Sequence, residues 1–277
     1  MTADPRSKSL RDLIRHHRDF IADPLLWVSR HLDLVGCRFE VADVDPGNAE
    51  LPENLPEAQG HAEQLARNIF PVMKHRALVS MLAGKGRSFA KHHSHSLVGY
   101  FHYTDACPDP RRHPNIIGGS IYNKRLAQIT PPERIKDPYF VCLLLALAQL
   151  QERKLSRPPA YTVCHPLIGL QSRLLVIHAA DREYIYLYEA EITTELLSTL
   201  RNTSAASSNT EWPTIRRLKI SFQPYKTFAN WLIAALVSPI PQCPRNSLTL
   251  PDKVGQPVAK RSQDEESSRS PKVRRIL

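Results

Sequence analysis

From Ser9 to Ile21, apolar residues fall at Leu10, Leu13, Ile14, Phe20 and Ile21, with Arg11, Arg15 and Arg18 between them. That is helical spacing with a basic opposite face, and Ser9 is suited to cap it. Asp23-Pro24 ends this helix and opens a second, Leu25 to Leu34. Cys37 to Val44 alternates loosely and predicts a strand. Asp45 to Gly60 holds three prolines and two glycines and predicts a loop. His61 to Leu82 places Leu65, Ile69, Val72, Met73, Leu78, Val79 and Leu82 on helical positions, and Pro71 should kink or split that helix. Gly84 to Arg87 predicts a turn, Leu97 to Tyr103 a short strand, and Asp105 to Pro114 a Pro- and Arg-rich loop.

The second half is patterned more sharply. Asp137-Pro138 is a helix start, with a capping carboxylate followed by proline in the first position. Tyr139 to Arg153 is apolar nearly all round, which predicts a helix buried on most sides. Tyr161 to Leu167 and Leu174 to Ala180 predict strands, and Asp181-Arg182 a tight turn. Glu183 to Ile192 alternates Tyr184, Tyr186 and Tyr188 with Ile185 and Leu187. Both sets being apolar in character, the pattern suits a central strand covered on both faces. Thr193 or Thr194 caps a short helix, Glu195 to Leu200. Asn202 to Thr210 predicts a loop, Thr214 to Phe222 a last strand and Tyr225 to Val237 a last helix.

The expected fold class is therefore α+β. A mixed or antiparallel sheet in the second half packs on the helix from Asp137. The N-terminal helices either extend that domain, making residues 1–238 one unit, or form a helical subdomain over residues 1–104. After Ser238 the prolines, serines and charges of residues 239–277 predict a disordered tail.

Composition changes this picture in one respect. Lys and Arg number 37 against 27 acidic residues, a formal net charge of +10. Such a chain attracts polyanions, and nucleic acid is the commonest one. Five cysteines at wide spacings, Cys37, Cys107, Cys142, Cys164 and Cys243, argue against a disulfide framework and for a reducing compartment. No apolar run approaches the ~20 residues that span a bilayer, and Met1 to Arg6 is not followed by a signal-peptide core. No membrane partner is expected.

The most specific short signal lies in the tail. Lys260-Arg261 is followed by ten residues and then Lys272-Val273-Arg274-Arg275. Two basic clusters on a solvated spacer resemble a bipartite nuclear-localisation signal. Lys260, Arg261, Lys272, Arg274 and Arg275 would then engage a nuclear-import receptor, with the nucleus as the address. Ser270-Pro271 abuts the second cluster, where phosphate would oppose its charge.

Strong catalytic motifs are missing: no phosphate-binding G-x-x-x-x-G-K-[ST], no G-x-G-x-x-G, no H-E-x-x-H and no G-x-S-x-G. His92, His93, His95, His102, Cys107 and His113 are ligand-type residues, but their spacing fits no zinc pattern, and a solvated polar loop is the favoured reading. Cys164-His165 are adjacent in a strand and point to opposite faces, so they form no dyad with each other. Tyr184, Tyr186 and Tyr188 share one strand face. They are either a stacking platform for bases or, the preferred reading, a surface covered by the helix from Asp137.

The order helix, strand, strand, strand, helix, strand from Asp137 resembles the core of restriction-endonuclease-like nucleases. Such enzymes hold a divalent metal on strand carboxylates beside a lysine. Here the third strand reads Glu189-Ala190-Glu191, so the lysine position is acidic, and Asp181 stands in the turn before it. Asp181, Glu189 and Glu191 are the candidate metal ligands of that reading. Separately, Asp137 to Val141, the Leu/Ala-rich run to Gln149, Tyr184 to Leu197 and Ile220 to Pro224 resemble a group of uncharacterised proteins from filamentous fungi. The resemblance spans roughly residues 131–237 and implies a fungal source, but no activity and no catalytic residues.

The leading expectation is a non-catalytic nuclear adaptor or nucleic-acid-associated factor without a cofactor. The alternatives are a divergent metal-dependent hydrolase needing a divalent metal, and an auxiliary protein of a metabolic pathway.

Overall fold

The computed structural model describes residues 10–18, 26–42, 56–83, 97–103, 131, 133–155, 169–178, 181–202 and 210–238. All of them fall in one compact unit, Met1–Ile240. The second unit, Pro241–Leu277, has no described residue, so the tail and its basic clusters lie outside the described residues. So do His92, His93, His95, Cys107, His113, the Cys164-His165 pair and the strand expected at Tyr161 to Leu167.

In chain order the described elements are α1 (Leu10–His16), α2 (Ser29–Val35), β1 (Arg38–Ala42), α3 (Pro56–Arg67), α4 (Pro71–Ala83) and β2 (Val98–Tyr103). A single 3-10 turn, Arg134–Lys136, leads into α5 (Pro138–Leu155). Then follow β3 (Leu170–His178), β4 (Tyr184–Ile192), α6 (Thr194–Arg201), β5 (Thr214–Ser221) and α7 (Tyr225–Val237). The five strands form one mixed sheet in the order β1-β5-β4-β3-β2. Its edge strands pair in parallel, β1 with β5 and β2 with β3, while β4 is antiparallel to both neighbours. Four strands therefore share one direction and β4 alone opposes them.

The α+β class stands, and both edges of the sheet come from the first half of the chain. Helices cover both faces. Phe140, Val141, Leu144 and Ala148 of α5 pack on one face with Leu10 of α1, Leu32 of α2 and Leu196 and Leu197 of α6. On the other, Leu65 of α3, Leu78 and Met81 of α4 and Phe228 and Leu232 of α7 meet the opposite side chains. β4 shows why its two alternating sets are both apolar: Tyr186, Tyr188 and Ala190 enter the first core, and Ile185 and Leu187 the second. Each fully buried Leu, Ile or Phe contributes about 1.5–3 kcal/mol relative to exposure.

Local chemistry sets the boundaries. Asp137 Oδ1 accepts from the Tyr139 N–H at 2.9 Å, opening α5. Thr193 Oγ1 accepts from Leu196 N–H at 3.2 Å, opening α6. Gly36 closes α2 at φ +73°, with Gly36 N–H bonding to Asp33 O and Cys37 N–H to Leu32 O. That pair is a Schellman turn, which needs a left-handed residue at this position. Gly99 serves a different purpose. A Cβ there would lie 2.7 Å from Leu147 Cδ1 and 2.9 Å from Leu174 Cδ1, so its lack of a side chain lets α5 lie close over β2.

Several boundaries differ from the sequence expectation, among them the end of α1, at His16 rather than Ile21. The loop expected over Asp45 to Gly60 gives way to α3 from Pro56, because proline suits the first helical position and Ala58 and Ala62 are buried. α2 begins at Ser29 rather than Leu25, with the Val28 N–H donating to His31 Nδ1 at 2.9 Å. β3 begins at Leu170, four residues early, its pairing with β4 running from Leu170 opposite Ile192.

Candidate functional site

In sheets of this kind ligands gather outside the carboxyl ends of the strands, where loops and helix starts converge. That end carries Tyr103 of β2, His178 of β3 and Ser221 of β5, together with Tyr184, the first residue of β4. Two polar groupings meet there.

The first is buried on the α5 face. His178 is 6% exposed, its ring 5.2 Å from those of Tyr103 and Tyr186 and 6.3 Å from Phe140. Tyr186 Oη donates to Asp181 Oδ2 at 2.6 Å, and Tyr103 donates to the Asp137 carboxylate. Tyr188 Oη donates to Ile135 O at 2.8 Å. Burial pushes the imidazole of His178 down to about 4, an effect that Asp181 opposes and Arg134, Arg217 and His102 reinforce. Burial also raises Asp137, and raises the Tyr103 phenol to about 12 with help from the adjacent Asp137 charge. Tyr186 and Tyr188 are raised by burial as well. His178 is thus neutral at physiological pH, and the tyrosines stay protonated as donors. Among the described residues, His178 Nε2 and Arg217 Nη1 have no hydrogen-bond partner.

The second grouping is open. A cleft of about 230 Å³ is lined by Arg182, Glu183, Tyr184, Ser221, Phe222, Gln223 and Tyr225. Its two tyrosines come from the start of β4 and the start of α7, and each carries a cation. Lys219 Nζ lies 3.6 Å from the Tyr184 ring centroid, and Arg67 Cζ, whose guanidinium also pairs with Glu63, 5.9 Å from that of Tyr225. Arg182 and Lys226 are exposed beside them, and Glu183 is the one carboxylate among the lining residues. The volume is below the ~300–1,000 Å³ of ordinary small-molecule pockets. It suits one planar ring with its charged appendage rather than an enclosed substrate.

The expected metal ligands are not brought together. Glu189 is 3% exposed on the α7 face of the sheet. Its Oε1 accepts from Arg173 Nε at 2.9 Å and its Oε2 from Arg216 Nη1 at 3.4 Å, while Arg173 Nη2 also donates to Ser238 O. Asp181 is bonded to Tyr186, whose side chain enters the opposite core. Glu191 is half-buried with its carboxylate near Gly169. No set of three His, Cys, Asp or Glu side chains is arranged to hold a metal among the described residues. His102 lies on β2, and burial lowers its imidazole.

Of the tyrosine stripe, Tyr186 and Tyr188 are buried, and the ring of Phe140 of α5 lies 4.8 Å from that of Tyr188, tilted by 49°. The covering role preferred from the sequence describes those two. Tyr184 alone reaches the cleft. Its cation Lys219 comes from β5, Tyr225 from α7 and the cation of Tyr225, Arg67, from α3, so no local motif joins them.

Compared with known proteins, the chain matches no family model, no curated protein and no solved structure.

Proposed function

We propose that this chain is a non-catalytic nucleic-acid-associated factor of the nucleus, which holds single-stranded nucleic acid at the carboxyl end of its sheet. The observation that carries this reading is the pairing of each cleft tyrosine with a cation, Tyr184 with Lys219 and Tyr225 with Arg67. Single-stranded nucleic acid presents the complementary alternation, a π-face for stacking beside a phosphate for a cation. The net charge of +10 adds long-range attraction. The basic clusters of the tail supply the route to the nucleus through an import receptor.

The alternative, metal-dependent hydrolysis through Asp181, Glu189 and Glu191, gains less support. Both oxygens of Glu189 accept from guanidinium groups, and Asp181 lies on another face. A carboxylate so engaged has to break two ion pairs before it meets a cation.

The test is fluorescence anisotropy with a labelled 12-nucleotide single strand, titrated at 50 and 200 mM salt. Affinity is expected to fall steeply with salt, because each neutralised phosphate releases counterions. Tyr184→Ala with Tyr225→Ala is expected to weaken binding by roughly 10- to 100-fold, since stacking is worth ~1–3 kcal/mol per base. Affinity that ignores salt, or a double variant that binds as the parent does, would sink the reading.

A further inference from the structure

Most helices of this unit bury one face and expose a polar one. α4 departs from that rule. Ala77, Leu78, Met81 and Leu82 are buried in the second core, where α4 packs on α3 and α7. Yet Val72 and Val79 are 76% and 45% exposed on its other side, with Met73 beside them. The connection from α3 adds Ile69 and Phe70, the latter 63% exposed. Residues three, four and seven apart lie on one helix face. Val72, Arg76 and Val79 therefore form a stripe about 11 Å long, flanked by Met73, with exposed Ile69 and Phe70 in the connection just before the helix. Scattered exposed apolar residues are ordinary, but a contiguous set marks an interaction surface.

The charges around this stripe indicate what covers it. From Asn68 to Ala83 the chain carries Lys74, His75 and Arg76 and no carboxylate. Lys74 is buried, so Arg76 is the cation presented in the middle of the stripe, with His75 exposed beside it. A second copy docked about a two-fold axis through this stripe would set Arg76 against Arg76, which like-charge repulsion disfavours. A partner with apolar side chains at helical spacing and a carboxylate opposite Arg76 satisfies both features. Unbranched Met73 adapts to an imperfect apolar fit.

We infer that the outer face of α4, with Ile69 and Phe70, docks an acidic amphipathic helix of a protein partner. This surface shares no residue with the cleft lining and stands whether or not nucleic acid binds there. It makes the chain two-sided.

A library of random 16-residue peptides displayed on phage, selected on the full chain, tests this directly. Enriched peptides are expected to carry apolar residues at i, i+3 or i+4, and i+7, with acidic residues among them. By anisotropy they should bind Val72→Glu with Val79→Glu at least tenfold more weakly. The variants change exposed positions, and thermal denaturation checks that they remain folded. Against Arg76→Glu, the same peptides should lose affinity and regain it when their acidic residues are replaced by lysine. The inference is overturned by selection that yields no acidic amphipathic peptides, or by peptides that bind parent and variant alike. It is equally overturned if Val72→Glu with Val79→Glu abolishes self-association in sedimentation, binding to phosphatidylserine-containing vesicles, or oligonucleotide binding. Those results would assign the face to a second copy, a lipid surface or nucleic acid.

Discussion

Arg173 donates to Glu189 at 2.9 Å across the β3–β4 pair, and both side chains are less than a tenth exposed. With Arg216 on the other carboxylate oxygen, two cations share one buried anion. Removing the anion leaves the guanidinium groups facing each other in a poorly solvated layer. Breaking a buried pair from one side costs about 3–5 kcal/mol. Glu189→Gln is therefore expected to lower the unfolding free energy by roughly that amount. Half-buried Glu191→Gln should cost under about 1 kcal/mol, within the range of peripheral substitutions. Urea titration distinguishes the two. Equal effects would mean that the Arg173–Glu189–Arg216 group does not behave as a buried cluster.

His178 predicts how stability depends on pH. Its imidazole is held at about 4 by burial, below its ordinary value of 6.5. Between those two values the unfolded chain binds the proton and the folded chain does not. Stability is thus complete above about pH 6.5 and declines as pH falls toward 4, by up to ~3 kcal/mol. His102, also lowered, acts in the same sense. Asp137, raised by burial, acts in the opposite one, because its protonation relieves a buried charge. Comparison with His178→Phe isolates the histidine. Phenylalanine keeps a ring among Tyr103, Phe140 and Tyr186 but cannot take a proton. The variant should match or exceed the parent at pH 5 by chemical denaturation, and parallel stability curves from pH 4 to 7 would contradict the assignment.

Gly99 of β2 lies directly against Leu147 of α5. Alanine there would bring Cβ to 2.7 Å from a Leu147 methyl and 2.9 Å from a Leu174 methyl. Both obstacles are side-chain ends, so they move, but inside a packed layer. Overpacking of this kind costs ~1–3 kcal/mol. Gly99→Ala is expected to destabilise by that amount alone, and by less when combined with Leu147→Ala. A double-mutant cycle measures the coupling. Additive effects would show that the two positions do not compete for space.

Much of this architecture can be read from short-range pattern. The alternation of β4, the Asp137-Pro138 start of α5, the Thr193 cap of α6 and both ends of α7 are written in residues a few positions apart. Where local signals conflict, tertiary burial decides. Pro56 and Gly60 suggest a loop, yet α3 runs through them because Ala58, Ala62 and Leu65 are buried. The site was the least legible part. Glu189 looks like a metal ligand until Arg216, from a different strand, is placed beside it. The cleft joins Tyr184 of β4 and Tyr225 of α7, and the cations over those rings, Lys219 and Arg67, come from two further elements. The apolar residues of α4 were visible in sequence, but period alone does not say which of its two apolar faces is covered.

The tail makes the prediction that separates address from activity. Lys260-Arg261 and Lys272 to Arg275 stand ten residues apart, a spacing that suits a receptor with two acidic pockets. Replacing Lys260, Arg261, Lys272, Arg274 and Arg275 by alanine in a fluorescent fusion of the full chain is expected to abolish nuclear accumulation. Replacing either cluster alone should weaken it, because each pocket contributes part of the affinity. Ser270→Asp, beside the second cluster, should weaken import in the same direction by opposing its charge. Tyr184→Ala with Tyr225→Ala provides the control. If import depends on the tail, that variant still enters the nucleus, while its exchange there, read by photobleaching, becomes faster if the cleft holds nucleic acid as proposed. If accumulation survives loss of both basic clusters yet disappears with the tyrosines, the chain is held in the nucleus by its cleft, and the basic clusters carry no import signal.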